Sequence, residues 1–135
     1  MGWTLISTTT AIQYPVTFQN VGSREALEAR GLRSLERHRK AFSAFMEAEE
    51  KGQEEVEEFG SFYEYGLSFD NLLEEEGYYR YRLTWVGPSS EVRFYGSSGR
   101  IEFVYLDWFC GIGFDVTHDE VFRWLRSRFK RMGLL

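Results

Sequence analysis

The apolar residues of this chain change their spacing twice, and that limits the fold more than any motif does. From residue 24 to about Lys51, Leu27, Leu35, Phe42 and Phe45 keep helical spacing, and Leu32, Ala41 and Met46 widen the stripe. Ser23 stands where an N-cap belongs, Glu25 suits the first turn, and Gly52 marks the stop. Between Phe59 and Cys110 the period drops to two. Tyr63, Tyr65, Leu67 and Phe69 oppose Glu64, Ser68 and Asp70, and Tyr79, Tyr81, Leu83 and Trp85 oppose Arg80, Arg82 and Thr84. Turns at Gly87-Pro88-Ser89-Ser90 and Gly96-Ser97-Ser98-Gly99 flank Val92 and Phe94, and the segment from Ile101 to Phe109 is apolar enough on both faces to be central. The helical period then returns with Val121, Phe122, Leu125, Phe129 and Met132, introduced by a Thr117/Glu120 capping box and a Val116/Val121 staple. These features predict an α+β fold: an antiparallel meander of about four strands, flanked by a long N-terminal helix and a C-terminal amphipathic helix. The two helices are expected on opposite faces of the sheet.

Nothing divides the 135 residues, so 1–135 reads as one domain, without internal repeat or linker. Residues 1–22 carry no charge; Ile12, Tyr14, Val16 and Phe18 alternate there, and Pro15 places that strand at an edge. A helix from 24 to 51 would reach about 42 Å, whereas a domain of this length is roughly 35–40 Å across. Either Gly31 interrupts it or its acidic end projects. No apolar run approaches a membrane span, no signal peptide is apparent, and the lone Cys110 excludes an internal disulfide, which together point to a cytoplasmic chain.

Charge is distributed unevenly. Residues 47–76 hold 12 acids and one base, Lys51, whereas the rest of the chain carries a net +6. A dense block of one sign repels itself, so it is the best lead to a partner. Were the helix to continue through Gly52, Glu47, Glu50, Glu54 and Glu57 (or Glu58) would line one side, spaced too sparsely to imitate DNA alone. Glu49, Glu55 and the Glu74-Glu75-Glu76 turn raise the density. The C-terminal helix offers the opposite sign in Arg123, Arg126, Arg128, Lys130 and Arg131, with Trp124 beside them.

Residues suited to chemistry are few. His38, Cys110 and His118 are the only soft metal ligands, and no two stand at ligand spacing. His38 falls on the apolar stripe and reads as a packed core residue. Cys110, in Trp108-Phe109-Cys110-Gly111-Ile112-Gly113, could be a nucleophile if His118 approached it, although its aromatic neighbours favour a buried thiol. Glu64 and Asp70 share a predicted face with Arg80, Arg82 and Arg93, where cross-strand ion pairs account for them. The expectation is no enzyme, no cofactor and no metal.

The stretch Gly77-Tyr78-Tyr79-Arg80-Tyr81-Arg82-Leu83-Thr84-Trp85, with Gly87-Pro88-Ser89, Glu91, Arg93-Phe94 and Asp107-Trp108-Phe109, resembles a segment of small accessory proteins of phages and conjugative plasmids. The resemblance covers about a third of the chain and implies a mobile-element origin, in which short acidic proteins inhibit host defence nucleases. With the acidic block, it leads to a non-enzymatic inhibitor of anti-CRISPR or anti-restriction type. The expected partner is the basic surface of a nucleic-acid-handling host protein or complex, contacted through Glu47, Glu49, Glu50, Glu54, Glu55, Glu57, Glu58, Glu74, Glu75 and Glu76. The alternative is a nucleic-acid- or protein-binding module using Arg123, Arg126, Lys130 and Arg131, with direct nucleic-acid binding disfavoured by the net charge of −5. A surplus of aromatic residues, with some of Trp3, Tyr14, Phe18, Phe62 and Trp124 expected at the surface, suggests a homodimer paired through the N-terminal edge strand.

Overall fold

The computed structural model describes residues 4–8, 14–19, 24–84, 87–108 and 110–135. In chain order the elements are β1 (Thr4–Thr8), β2 (Pro15–Gln19), α1 (Arg24–Glu50), β3 (Glu55–Val56), β4 (Gly60–Ser61), α2 (Phe62–Tyr65), β5 (Ser68–Leu72), α3 (Leu73–Glu76), β6 (Tyr78–Thr84), β7 (Ser89–Tyr95), β8 (Ile101–Asp107), β9 (Cys110–Asp115) and α4 (Glu120–Arg131). The class is α+β as the periodicity predicts, but the sheet is larger. Seven antiparallel strands follow the order β1-β2-β9-β8-β7-β6-β5, and β3 and β4 form a separate hairpin. Five consecutive strands, β5 to β9, make the meander. The fifth, β9, lies in the glycine-containing segment beyond the strands that the periodicity marks. Its Ile112 and Phe114 alternate inward against the helices and are fully buried.

The uncharged N-terminal segment extends its own sheet. β2 lies between β1 and β9, so it is not the edge strand, and Pro15 is tolerated because it opens the strand. The edge position in the N-terminal segment belongs to β1 instead. Tyr14 and Phe62 are buried rather than exposed and Trp124 is half-buried, while the side chains of Trp3 and Phe18 lie outside the description. Among the described residues the exposed aromatics are Tyr63 and Trp108. Tyr63 leaves the predicted strand face because residues 62–65 form the single turn α2, capped by Ser61.

Helix α1 is continuous. Gly31 does not break it; it lets the helix lie close to β9, where a Cβ would stand 2.9 Å from Ile112 Cγ2 and 3.0 Å from Phe114 Cε2. The predicted N-cap, Ser23, falls outside the described residues. At the other end Gly52 takes φ +70°, with Gln53 N–H donating to Ala48 O (2.8 Å) and Gly52 N–H to Glu49 O (3.1 Å), the paired bonds that close a helix on a left-handed glycine. Nor does the acidic end project freely: Ala48 is buried beside Phe45.

Both helices lie on the same face of the sheet, contrary to expectation. Phe103 meets His38 of α1 and Phe122 of α4, and Tyr81 meets Phe42 of α1 and Phe129 of α4, with ring centroids 4.7–6.3 Å apart. They run in the same sense, because Arg39 reaches Asp119, Phe42 packs on Phe122, and Glu49 reaches Trp124 and Arg128. The cap of α4 is Asp119, whose Oδ1 accepts from the backbone N–H of Val121 (2.9 Å) and Phe122 (3.2 Å). Thr117 does not cap the helix. Its Oγ1 accepts from Ile101 N–H (3.0 Å), pinning the start of β8, and His118 precedes the helix rather than opening it. With Asp119 as N-cap, Val116 and Val121 no longer hold staple positions; both are simply core.

Opposite the helices, the strands carry ion pairs between Asp70 and Arg80 (3.1 Å), Glu91 and Arg93 (2.7 Å), and Glu102 and Arg100 (2.8 Å). The cross-strand pair predicted for Asp70 is present. Glu64 is absent from that face because it sits in α2, and Arg93 takes Glu91 instead.

The close approach at Gly31 gives a direct test. Gly31→Val adds a branched side chain where even one Cβ touches Ile112 and Phe114, and overpacking of this kind costs about 1–3 kcal/mol. Urea unfolding should show the midpoint lowered with the slope unchanged; an unaltered midpoint would mean that α1 does not pack against β9 this closely.

Candidate partner-binding surface

The acids named by sequence analysis fall into two groups on either side of the C-terminal end of α4. The first comprises Glu47, Glu49 and Glu50 in the last turns of α1, Glu54 in the following bend, and Glu55, Glu57 and Glu58 on the β3–β4 hairpin. The continuous helical line through Gly52 does not exist, because the left-handed glycine turns the chain into that hairpin. The second group is Glu74, Glu75 and Glu76, which make up most of α3; the preceding Leu73 packs against Gly96 in the β7–β8 turn.

Two members of the first group are engaged within the fold. Glu58 lies 3.5 Å from Lys40, with both side chains well exposed, a pair of little energetic consequence. Glu49 differs. Its carboxylate accepts from Trp124 Nε1 (3.1 Å), Arg131 (3.0 Å) and Arg128. Partial burial raises the Glu49 pKa, but hydrogen bonds from Arg131 and Trp124 and the charges of Arg131 and Arg128 outweigh it, so the group stays below the ordinary carboxylate range. Glu49 therefore serves as a tie between α1 and α4 rather than as a free contact. Glu47, Glu50, Glu54, Glu55, Glu57, Glu74, Glu75 and Glu76 are exposed, and no salt bridge engages them among the described residues.

The basic helix is taken up differently. Of its four candidates, Arg131 is bound to Glu49 and Arg126 donates to the Gly99 carbonyl, leaving Arg123 and Lys130 exposed and without such partners among the described residues. Arg128, which was not among the four, does the most structural work. It joins Glu49, donates to Tyr63 Oη (3.1 Å), and stacks over the rings of Phe62 (4.8 Å) and Tyr63 (5.4 Å). Between these residues and Phe45, Ala48, Gln53 and Glu54 lies an open groove of about 460 Å³.

The residues considered for chemistry do not assemble. Cys110 opens β9 and His118 follows its far end, so the strand alone separates them by about 16 Å at 3.3 Å per residue. No Cys–His pair forms. His38 is a core residue, packed against Phe42, Tyr65 and Phe103, with Nδ1 2.6 Å from Tyr65 Oη and Nε2 lacking a partner among the described residues. Burial drives its pKa down to about 4, helped by the charge of Arg37, and pushes the Tyr65 hydroxyl up to about 12. One helical turn earlier, Ser34 and Ser90 share a buried hydrogen bond of 2.6 Å.

Sequence analysis missed Asp119 as an organising residue. Besides capping α4, it accepts from Tyr14 Oη (2.7 Å) and Arg39 Nε (2.9 Å), tying the N-terminal segment, α1 and α4 together. Burial raises its pKa, but the bonds from Tyr14 and Arg39 prevail and keep it low. The available signal was that Asp is as good an N-cap as Thr. Comparison of the chain with protein-family models, curated proteins and solved structures returns no match.

His38 makes stability depend on acid. Its folded pKa of about 4 lies below the unfolded value of 6.5, so the unfolded chain binds the proton first. The contribution is complete above pH 6.5 and is lost as pH falls toward 4, with a ceiling of about 3 kcal/mol. His38→Phe should flatten the stability curve across that window in chemical unfolding at stepped pH; an equally steep loss in the variant would assign the effect to other groups.

Proposed function

We propose that this chain is a non-enzymatic binding protein that engages the basic surface of a nucleic-acid-handling partner, as an inhibitor of anti-CRISPR or anti-restriction type. The observation that supports it most is the asymmetry of free charge. Eight of the ten candidate acids are exposed without a salt bridge among the described residues, while Arg126, Arg128 and Arg131 of α4 are bound within the fold. Glu47 and Glu50 also occupy the last turn of α1, where the helix itself supplies no base and its dipole disfavours negative charge by about 0.3–1 kcal/mol each. A cluster kept in so unfavourable a place suits recognition of a cationic partner, whose approach relieves the repulsion. The particular kind of inhibitor follows from the resemblance to phage and plasmid accessory proteins.

The first acidic group is the contact surface in this reading. Reversing Glu47, Glu50, Glu54 and Glu55 to lysine leaves the fold intact, since exposed charges contribute little to stability. In bacteria carrying a CRISPR or restriction system, expression of the unaltered chain should raise phage plating efficiency. The reversed variant should lose that protection by about tenfold or more. Protection undiminished by the reversal would overturn the acidic contact, and absence of protection against every such system would overturn the inhibitor.

A further inference from the structure

Among the described residues, four of the five large apolar side chains left exposed lie together: Tyr63 (67 %), Leu67 (53 %), Met132 (38 %) and Leu134 (41 %) line one groove of about 190 Å³. The groove runs beside Ser68 and Phe69 of β5, and β5 is the last strand of the sheet, with no strand paired on its outer side among the described residues. Edge strands are commonly shielded by an outward charge. Here the one charge on the strand, Asp70, is spent on its neighbour Arg80 in β6. An open row of backbone donors and acceptors therefore borders an apolar patch.

We infer that this edge is a docking site for an extended segment of a partner, added as an eighth strand beside β5, with side chains alternating between apolar and basic. The alternation follows from the pleat. A strand added to β5 turns every second side chain toward the helix face, where Leu67, Met132 and Leu134 wait, and the others toward the opposite face. The charge follows from what brackets β5: Glu64 in α2 before it, and Glu74, Glu75 and Glu76 in α3 after it, all exposed. The same bracket argues against a second copy of this chain. Antiparallel pairing of β5 with its twin would set Glu74–Glu76 of one protomer against Glu64 of the other. Five residues of strand span about 17 Å, so a segment of five to seven residues fills the site. The inference rests on the acidic-partner reading for the sign of that segment, and on the open edge for its conformation.

The test uses the full chain and three synthetic heptapeptides, Lys-Val-Lys-Val-Lys-Val-Lys and its Glu-Val and Thr-Val counterparts, with amide hydrogen exchange as the readout. The Lys-Val peptide should slow exchange in residues 68–72 about fivefold or more, as strand pairing occupies their free backbone groups. The Glu-Val peptide should not. Leu67→Glu, at an exposed position that leaves the thermal midpoint unchanged, should abolish the protection. Protection confined to residues 47–58 would overturn the docking edge while leaving the acidic reading standing. Equal protection by all three peptides would overturn the basic segment together with the charge reading beneath it. Protection of 68–72 without peptide, at twice the monomer mass, would overturn it in favour of a second copy, and no protection at all would overturn it outright.

Discussion

A single carboxylate, Glu49, decides which charges of this protein face outward. It stands near the end of α1 and gathers Trp124, Arg128 and Arg131 from α4, so two helices that run in the same sense on one sheet face are held together where they end. Their negative dipole ends converge there, and Arg128 and Arg131 supply the cations that offset both. Without this tie α4 would present two further unpaired cations, Arg128 and Arg131. With it, two of the helix's five cations are consumed internally, while eight of the ten candidate acids keep no salt bridge among the described residues. The stacking of Arg128 on Phe62 and Tyr63 extends the same contact to α2, and through α2 to the edge of the sheet.

The counterpart at the other end of α4 is Asp119, which caps the helix while holding Arg39 and Tyr14. Between Asp119 and Glu49 the helices share an aromatic interior. Phe42 touches Tyr65, Tyr81 and Phe122, and Phe129 touches Phe69, Tyr81 and Phe94. Such ring pairs add about 0.5–1.5 kcal/mol each beyond their buried area, so the two terminal ties position α4 rather than supply its stability. This is how a chain with many aromatic residues keeps them covered while placing both helices on one face.

Helix α1, α4 and the central strands were legible in the sequence because their periods run long enough to average out exceptions. The pattern from Tyr63 to Phe69 misled because Gly66 sits tight against Tyr81, and the chain turns once at 62–65 before it becomes a strand. β9 was hidden by Gly111 and Gly113, which interrupt a strand whose informative positions are Ile112 and Phe114 alone. Which sheet face α4 would take could not be read from α4 itself, because its apolar stripe fits either face. For the candidate site, the sequence marked the acidic block but not its division. Glu49 and Glu50 are neighbours with the same side chain, and only the position of α4 makes one a structural tie and leaves the other free.

The measurement that bears most directly on this account is a double-mutant cycle between Glu49 and Arg128, using Glu49→Gln, Arg128→Gln and the double variant in urea unfolding. Both side chains are largely shielded, with relative exposures of 30 % and 17 %, so their coupling should exceed that of a surface pair. The account predicts a favourable coupling of at least about 1 kcal/mol that shrinks in acid as the carboxylate is protonated, at a pH below the ordinary carboxylate range. Additive effects of the two substitutions would contradict it, since the Glu49–Arg128 contact would then not hold α1 to α4.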